Sequence, residues 1–154
     1  MRDIIGKNKN EIDTPAFLVY REKLVSNIRK MADFFQVKKA RPRPMWKTPK
    51  TVEIAKLQIE AGAIGITCAK TREAEILVDA GIKDILIANE VVGAAKVRRL
   101  VEMNRKADVK CAVDDAVHVE ALSAAAKSAG VTIGVLVDVF VGLPRCGVKP
   151  EDAP

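Results

Sequence analysis

The sequence predicts an α/β fold assembled from parallel βα units, and three observations predict it. IGITCA, DILIANE and TIGVLVDV are rich in β-branched residues and apolar for most of their length, the pattern of strands covered on both faces. Each follows a segment of helical spacing that closes on Ala-Gly: VEIAKLQIEAG (52–62), EAEILVDAG (73–81) and VEALSAAAKSAG (119–130). The unit recurs about every 20 to 25 residues, which suits a doubly wound sheet or part of a (β/α)8 barrel. No G-x-G-x-x-G follows any strand, so the dinucleotide-binding form of the open sheet lacks its main signature.

In chain order, TPAFLVY (14–20) reads as a strand, and REKLVSNIRKMADFF (21–35) as a helix with Leu24, Ile28 and Met31 on one face. Strands follow at 43–47, 64–69, 84–90, 109–114 and 132–141, separated by the three Ala-Gly helices and by GAAKVRRLVEMNRKA (93–107). Gly62, Gly81 and Gly130 fall just past helix ends, where a left-handed backbone costs a residue without Cβ least. Setting the first strand aside, five βα-type strands remain. A complete barrel needs about 250 residues, more than the 154 present. The sequence then stops at PEDAP, with no helix after the last strand and nothing to cover the sheet edge. The expectation is therefore either part of a longer protein or a small open sheet.

Nearly half of the residues are apolar and 30% are charged, an ordinary globular balance. No apolar stretch approaches the roughly 20 residues of a membrane span, and MRDIIGKNKNEID lacks a signal-peptide core; a cytoplasmic protein is expected. The net charge of +6 invites a nucleic-acid partner. Only Lys38, Lys39, Arg41 and Arg43 cluster, however, and one Trp and one Tyr offer little base stacking. Cys68, Cys111 and Cys146 fit neither a disulfide framework nor a C-x-x-C metal pair, and the first two read as small buried hydrophobes.

Reactive groups of parallel sheets gather at the carboxyl ends of the strands. Those ends carry Lys47, Cys68 to Lys70, Asn89 and Glu90, Asp114 and Asp115, and Arg145. Strand ends also turn polar merely because they meet solvent. Lys47, in RPMWKTPK (43–50), is either a surface lysine before a helix or a carbonyl-trapping nucleophile. The second role needs an unprotonated amine, which Met45 and Trp46 could favour by excluding water and Arg43 and Lys50 by their charge. Arg145 sits between Gly142 and Gly147, either as a solvated turn residue or as a guanidinium donating paired hydrogen bonds to an oxyanion or phenolate.

IDTPAFLVY, RPMWKTPKTVEIA, AGAIGITCAKTREAEIL, DILIANEVVGAAKVRRL and VDVFVGLPRCGV occur in that order. Together they resemble the N-terminal half of the D-threonine aldolase and D-serine dehydratase-like family, pyridoxal-phosphate enzymes with an alanine-racemase-like barrel. The resemblance runs from Ile12 to Pro150. It implies a partial (β/α)8 barrel of the alanine racemase N-terminal type, with about five of eight strands in 1–154 and the other strands and a C-terminal β domain outside it. It also implies that Lys47, in the R-P-x-x-K-T motif, carries pyridoxal 5'-phosphate as a Schiff base, and that Arg145, in R-C-G-V, contacts its phenolic oxygen. The implied substrate is a small D-3-hydroxy amino acid, cleaved to glycine and an aldehyde or dehydrated to a keto acid and ammonia. A homodimer is implied for the full-length protein, and neither nucleic acid nor membrane is an expected partner.

Two departures stand out: Met45 replaces a histidine common in the family, and Phe140 replaces an acidic residue. The family's divalent metal is expected to find its ligands outside this chain. His118, the only histidine, is expected on a helix surface rather than at a metal. Phosphate-binding loops belong to the later strands, so 1–154 is expected to be inactive alone. The alternatives are an amino-acid racemase of the same barrel type and a non-catalytic pyridoxal-phosphate-binding protein, with a nucleic-acid module last.

Overall fold

The computed structural model describes residues 4–154. Four parallel strands, β1 (Ile66–Cys68), β2 (Asp84–Glu90), β3 (Asp108–Val113) and β4 (Val135–Val137), form one sheet in the order β1-β2-β3-β4. Around it run helices α1 (Arg21–Gln36), α2 (Val52–Glu60), α3 (Thr71–Asp79), α4 (Ala94–Asn104) and α5 (Ala116–Ala129). Neighbours in the sheet are neighbours in the chain, as in the wall of a barrel. No helix among the described residues is long and apolar enough to cross a membrane.

The helix-facing side of the sheet is the core. Ile66, Cys68, Ile85, Ile87, Val109 and Cys111 are buried there with Leu77, Leu100 and Leu122 from the helices, and each large aliphatic side chain so buried contributes roughly 1.5–3 kcal/mol. Burial of Cys68 and Cys111 pushes their thiols up to about 12 and about 11 respectively, as expected of cysteines used as small hydrophobes. The helix ends also follow the sequence: Gly62, Gly81 and Gly130 all have positive φ.

Four expectations are corrected. Continuous apolar runs predict strands buried on both faces, yet burial alternates along β2 and β3. Leu86 and Ala112, which point away from the core, are only half-buried and Ala88 is exposed. Residues 14–20 form no strand; they are exposed, with Phe17 at 87%, and among the described residues no strand pairs with them. The strand at 43–47 shrinks to a single parallel bridge, Met45 to Thr67, since Pro42 and Pro44 have no N–H to donate. The run 132–141 pairs only over Val135–Val137, beside a separate bridge from Val139 to Val148. An edge strand with no further partner has nothing to extend its ladder.

At the amino ends of the strands, Arg43 crosses Gly65 to reach Asp84, its Nη1 lying 2.6 Å from Oδ1. A Cβ at Gly65 would meet that guanidinium at 2.2 Å and the Asp84 carbonyl at 2.5 Å, so only glycine lets the segments pass. Lys110 joins Asp84 from β3 at 2.9 Å. Burial acts to raise the Asp84 pKa, but hydrogen bonds from Arg43 and Lys110 outweigh it and hold the carboxyl below its usual range.

Candidate functional site

Lys47 lies in the turn that joins the Met45 bridge to α2. The turn is braced on its amino side by Trp46. The Trp46 amide donates to the Thr67 carbonyl at 2.7 Å, its ring is buried, and its indole N–H donates to the Thr51 carbonyl at 3.0 Å. On the other side the Lys50 amide closes back onto the Trp46 carbonyl at 3.0 Å. Lys50 itself holds a left-handed backbone, φ 43°, and its ammonium pairs with Glu73 Oε1 at 3.1 Å.

The water-excluding, positively charged surroundings expected for the Lys47 amine are not found. Lys47 is exposed, as is Met45. Arg43 is committed to Asp84 and Lys50 to Glu73, so neither offers an unpaired positive charge. What remains is selective: among the described residues no carboxylate lies within ion-pair range of Lys47. Its neighbours are neutralised and its own amine is left available.

Arg145 lies past β4, on the same carboxyl edge of the sheet but at the far end of the strand order. Its loop closes where the Phe140 amide donates to Val148 at 2.8 Å and the Val148 amide to Asp138 at 2.9 Å. The Gly147 amide donates to Asp114 Oδ2 at 3.1 Å. Gly147 has φ 102°, and a Cβ there would meet the Phe140 nitrogen at 2.8 Å. The guanidinium is exposed and, among the described residues, makes no ion pair. No hydrogen bond or ion pair among the described residues joins Lys47 to Arg145.

Other strand-end residues serve the scaffold. Asp115 caps α5 by accepting from the Val117 amide at 2.9 Å, and Asn89 donates to the Ala69 carbonyl at 3.4 Å. His118 is half-buried rather than a surface residue, with Nδ1 3.1 Å from Asp114 Oδ1.

Two groupings escape the sequence. Glu73 is buried as the third residue of α3; a glutamate in a helix's first turn is the one signal for it, since that position reaches back to amides before the helix. The second is Glu90, Asp138 and Cys146, whose donor atoms lie within 4.8 Å of one another. The Cys146 thiol donates to Asp138 Oδ2 at 3.2 Å. That bond, with burial and the charge of Glu90, pushes the thiol up to about 11. A coordinating metal displaces the proton of a thiol, so these three residues could hold a divalent ion, whereas the sequence resemblance places the ligands of such a metal outside this chain.

The residues at this edge fit an aldehyde-bearing anionic cofactor in two respects: an accessible primary amine on a braced turn, and an accessible guanidinium on a closed loop. Comparison with known proteins shows the family. The family model described as alanine racemase, N-terminal domain, matches residues 19–154. The 3-hydroxy-D-aspartate aldolase of Paracoccus denitrificans is 39% identical over 150 residues, covering 96% of this chain and 39% of that protein. The D-threo-3-hydroxyaspartate dehydratase of Delftia sp. is 32% identical over 143 residues, 93% of this chain and 38% of that protein. The crystal structure of D-threonine aldolase from Filomicrobium marinum superposes with a TM-score of 0.89 at 42% identity, covering 92% of this chain and 38% of that one. The chain thus spans about two fifths of the relatives it matches.

Proposed function

The chain belongs to the alanine racemase N-terminal domain family, and from that premise we propose that it is the N-terminal part of the barrel of a pyridoxal-phosphate-dependent lyase acting on D-3-hydroxy amino acids. Lys47 is the covalent anchor of the cofactor and Arg145 a contact to it. Retro-aldol cleavage to glycine and an aldehyde is the favoured outcome, because aldolases are the relatives of higher identity.

The observation that carries this reading is the charge arrangement around Lys47. Three cations occur between residues 43 and 50, and carboxylates take up the outer two while leaving the middle amine free. With no carboxylate partner among the described residues, the exposed Lys47 amine is accessible to a carbonyl brought to this rim. Trp46 and the Lys50 closure fix the backbone of the turn from which that amine projects, and positioning a nucleophile in this way speeds its reaction. Arg145, held on a loop that Asp114 and Asp138 close, can offer a pair of N–H donors to an anionic oxygen. Bound pyridoxal phosphate would supply the electron sink for charge developing at the substrate's Cα.

Borohydride reduction of the whole protein loaded with pyridoxal 5'-phosphate, followed by peptide mapping, tests the assignment. The label is expected on Lys47, and Lys47→Ala is expected to abolish it. A label on another lysine in the unmodified protein overturns the assignment. Detection of glycine and aldehyde from D-threonine, against keto acid and ammonia, distinguishes cleavage from dehydration.

A further inference from the structure

The structure assigns Glu73 a positioning role: its buried carboxylate fixes the turn that presents Lys47. The inference rests on Lys47 being the anchor, and concerns what holds that anchor in place.

Glu73 spans two segments that are distant in sequence. Oε2 accepts from the Ala69 amide at 2.9 Å, immediately past β1, and Oε1 receives the Lys50 ammonium at 3.1 Å. A residue needed only to cap α3 would use the first bond alone. The second reaches into the turn whose closing bond, Lys50 amide to Trp46 carbonyl, encloses Lys47, Thr48 and Pro49.

Two independent features show that this end of the turn needs holding. Lys50 is the only non-glycine residue with positive φ among the described residues, a backbone state that costs free energy unless its surroundings impose it, and one that gathers at functional sites. Its side chain is otherwise 55% exposed, whereas that of Glu73 is 8% exposed. The fixed partner is therefore the carboxylate, and the mobile one is drawn to it. Burial works to raise the Glu73 pKa, but the Ala69 amide and Lys50 together bring it below the usual carboxylate value, so the group is charged at neutral pH. Trp46 pins the amino side of the turn through packing, and Glu73 pins the carboxyl side through charge.

Amide hydrogen exchange on the whole protein tests the brace directly. Glu73→Gln and Lys50→Gln should each lower protection of the Lys50 amide by about tenfold, and Lys50→Arg should restore it. Lys50→Gln should leave Ala69 protected, which separates loss of the brace from loss of the α3 cap and keeps the test open if Glu73→Gln folds poorly. In the whole protein the same two Gln variants should weaken pyridoxal 5'-phosphate binding by about tenfold, and Lys50→Arg by less than about twofold. A lowered Tm with unchanged Lys50 exchange and unchanged cofactor affinity would overturn the role and leave Glu73 a helix cap. A borohydride label away from Lys47 in the unmodified protein would instead remove the anchor assignment, while the exchange result would still stand or fall alone.

Discussion

The two ends of the strand rim are built by different means. At the Lys47 end, the turn rests on a tryptophan only 3% exposed, on β1 whose Ile66 and Cys68 are fully buried, and on the carboxylate of Glu73. At the Arg145 end, β4 is exposed along its whole length, 42–44% at Val135, Leu136 and Val137, and its loop is closed by hydrogen bonds to Asp114 and Asp138. Packing holds one end; polar closure holds the other. Within residues 4–154 the Lys47 turn is held by buried groups, whereas the Arg145 loop lies against an exposed edge strand.

The largest expected effect breaks the packed end. Trp46→Ala removes a buried ring and its bond to Thr51 and should cost about 3–5 kcal/mol in urea denaturation. Next comes a matched pair on the two sides. Leu77 is fully buried and Leu136 is 44% exposed, so Leu77→Ala should cost about 2–5 kcal/mol and Leu136→Ala under about 1 kcal/mol. Equal costs would mean that β4 is covered in solution and that the contrast is wrong.

An intermediate effect sharpens the packed side through pH. Arg99 beside Glu75, opposed by burial and aided by Arg72, lowers the Glu75 carboxyl from 4.5 to about 2. The folded pKa is depressed, so the stabilisation is complete above the unfolded value and is lost as pH falls through the folded one. Stability should therefore fall by on the order of 1–3 kcal/mol between about pH 4.5 and pH 2, and Glu75→Gln should flatten that segment of the profile. An unchanged slope in the variant would place the acid sensitivity elsewhere, with Asp84 the next group to replace.

Local periodicity and glycine placement made the helices legible, because both are properties of a few consecutive residues. The two candidate residues were legible from their motifs. Less visible was what surrounds them. Arg43 and Lys50 look like a positive field around Lys47 in sequence, but Asp84 and Glu73, from 41 residues and one helix away, neutralise them. Strand extents failed for a related reason: 14–20 and 132–141 have strand composition, and composition says nothing of whether a neighbour exists to pair with. The alternation of burial on β2 and β3 belongs to the same class, since apolar Leu86 and Ala112 look like core until the covering layer is known.

The smallest effect probes the polar end. Cys146 is only partly buried, so its reactivity is limited chiefly by its hydrogen bond to Asp138, the largest cause of a thiol pKa near 11. A carboxylate acceptor favours the protonated thiol, and only thiolate is alkylated. Asp138→Asn removes the charge while keeping a hydrogen-bonding group, so the thiolate fraction at a given pH should rise. Iodoacetamide labelling of Cys146 at pH 8 should accelerate by about three- to tenfold, each tenfold corresponding to one pKa unit. Cys68 and Cys111 should stay unreactive in both proteins, because burial rather than Asp138 protects them. If all three cysteines accelerate together, Asp138 is instead holding the packed side of the sheet, and the division between the two ends fails.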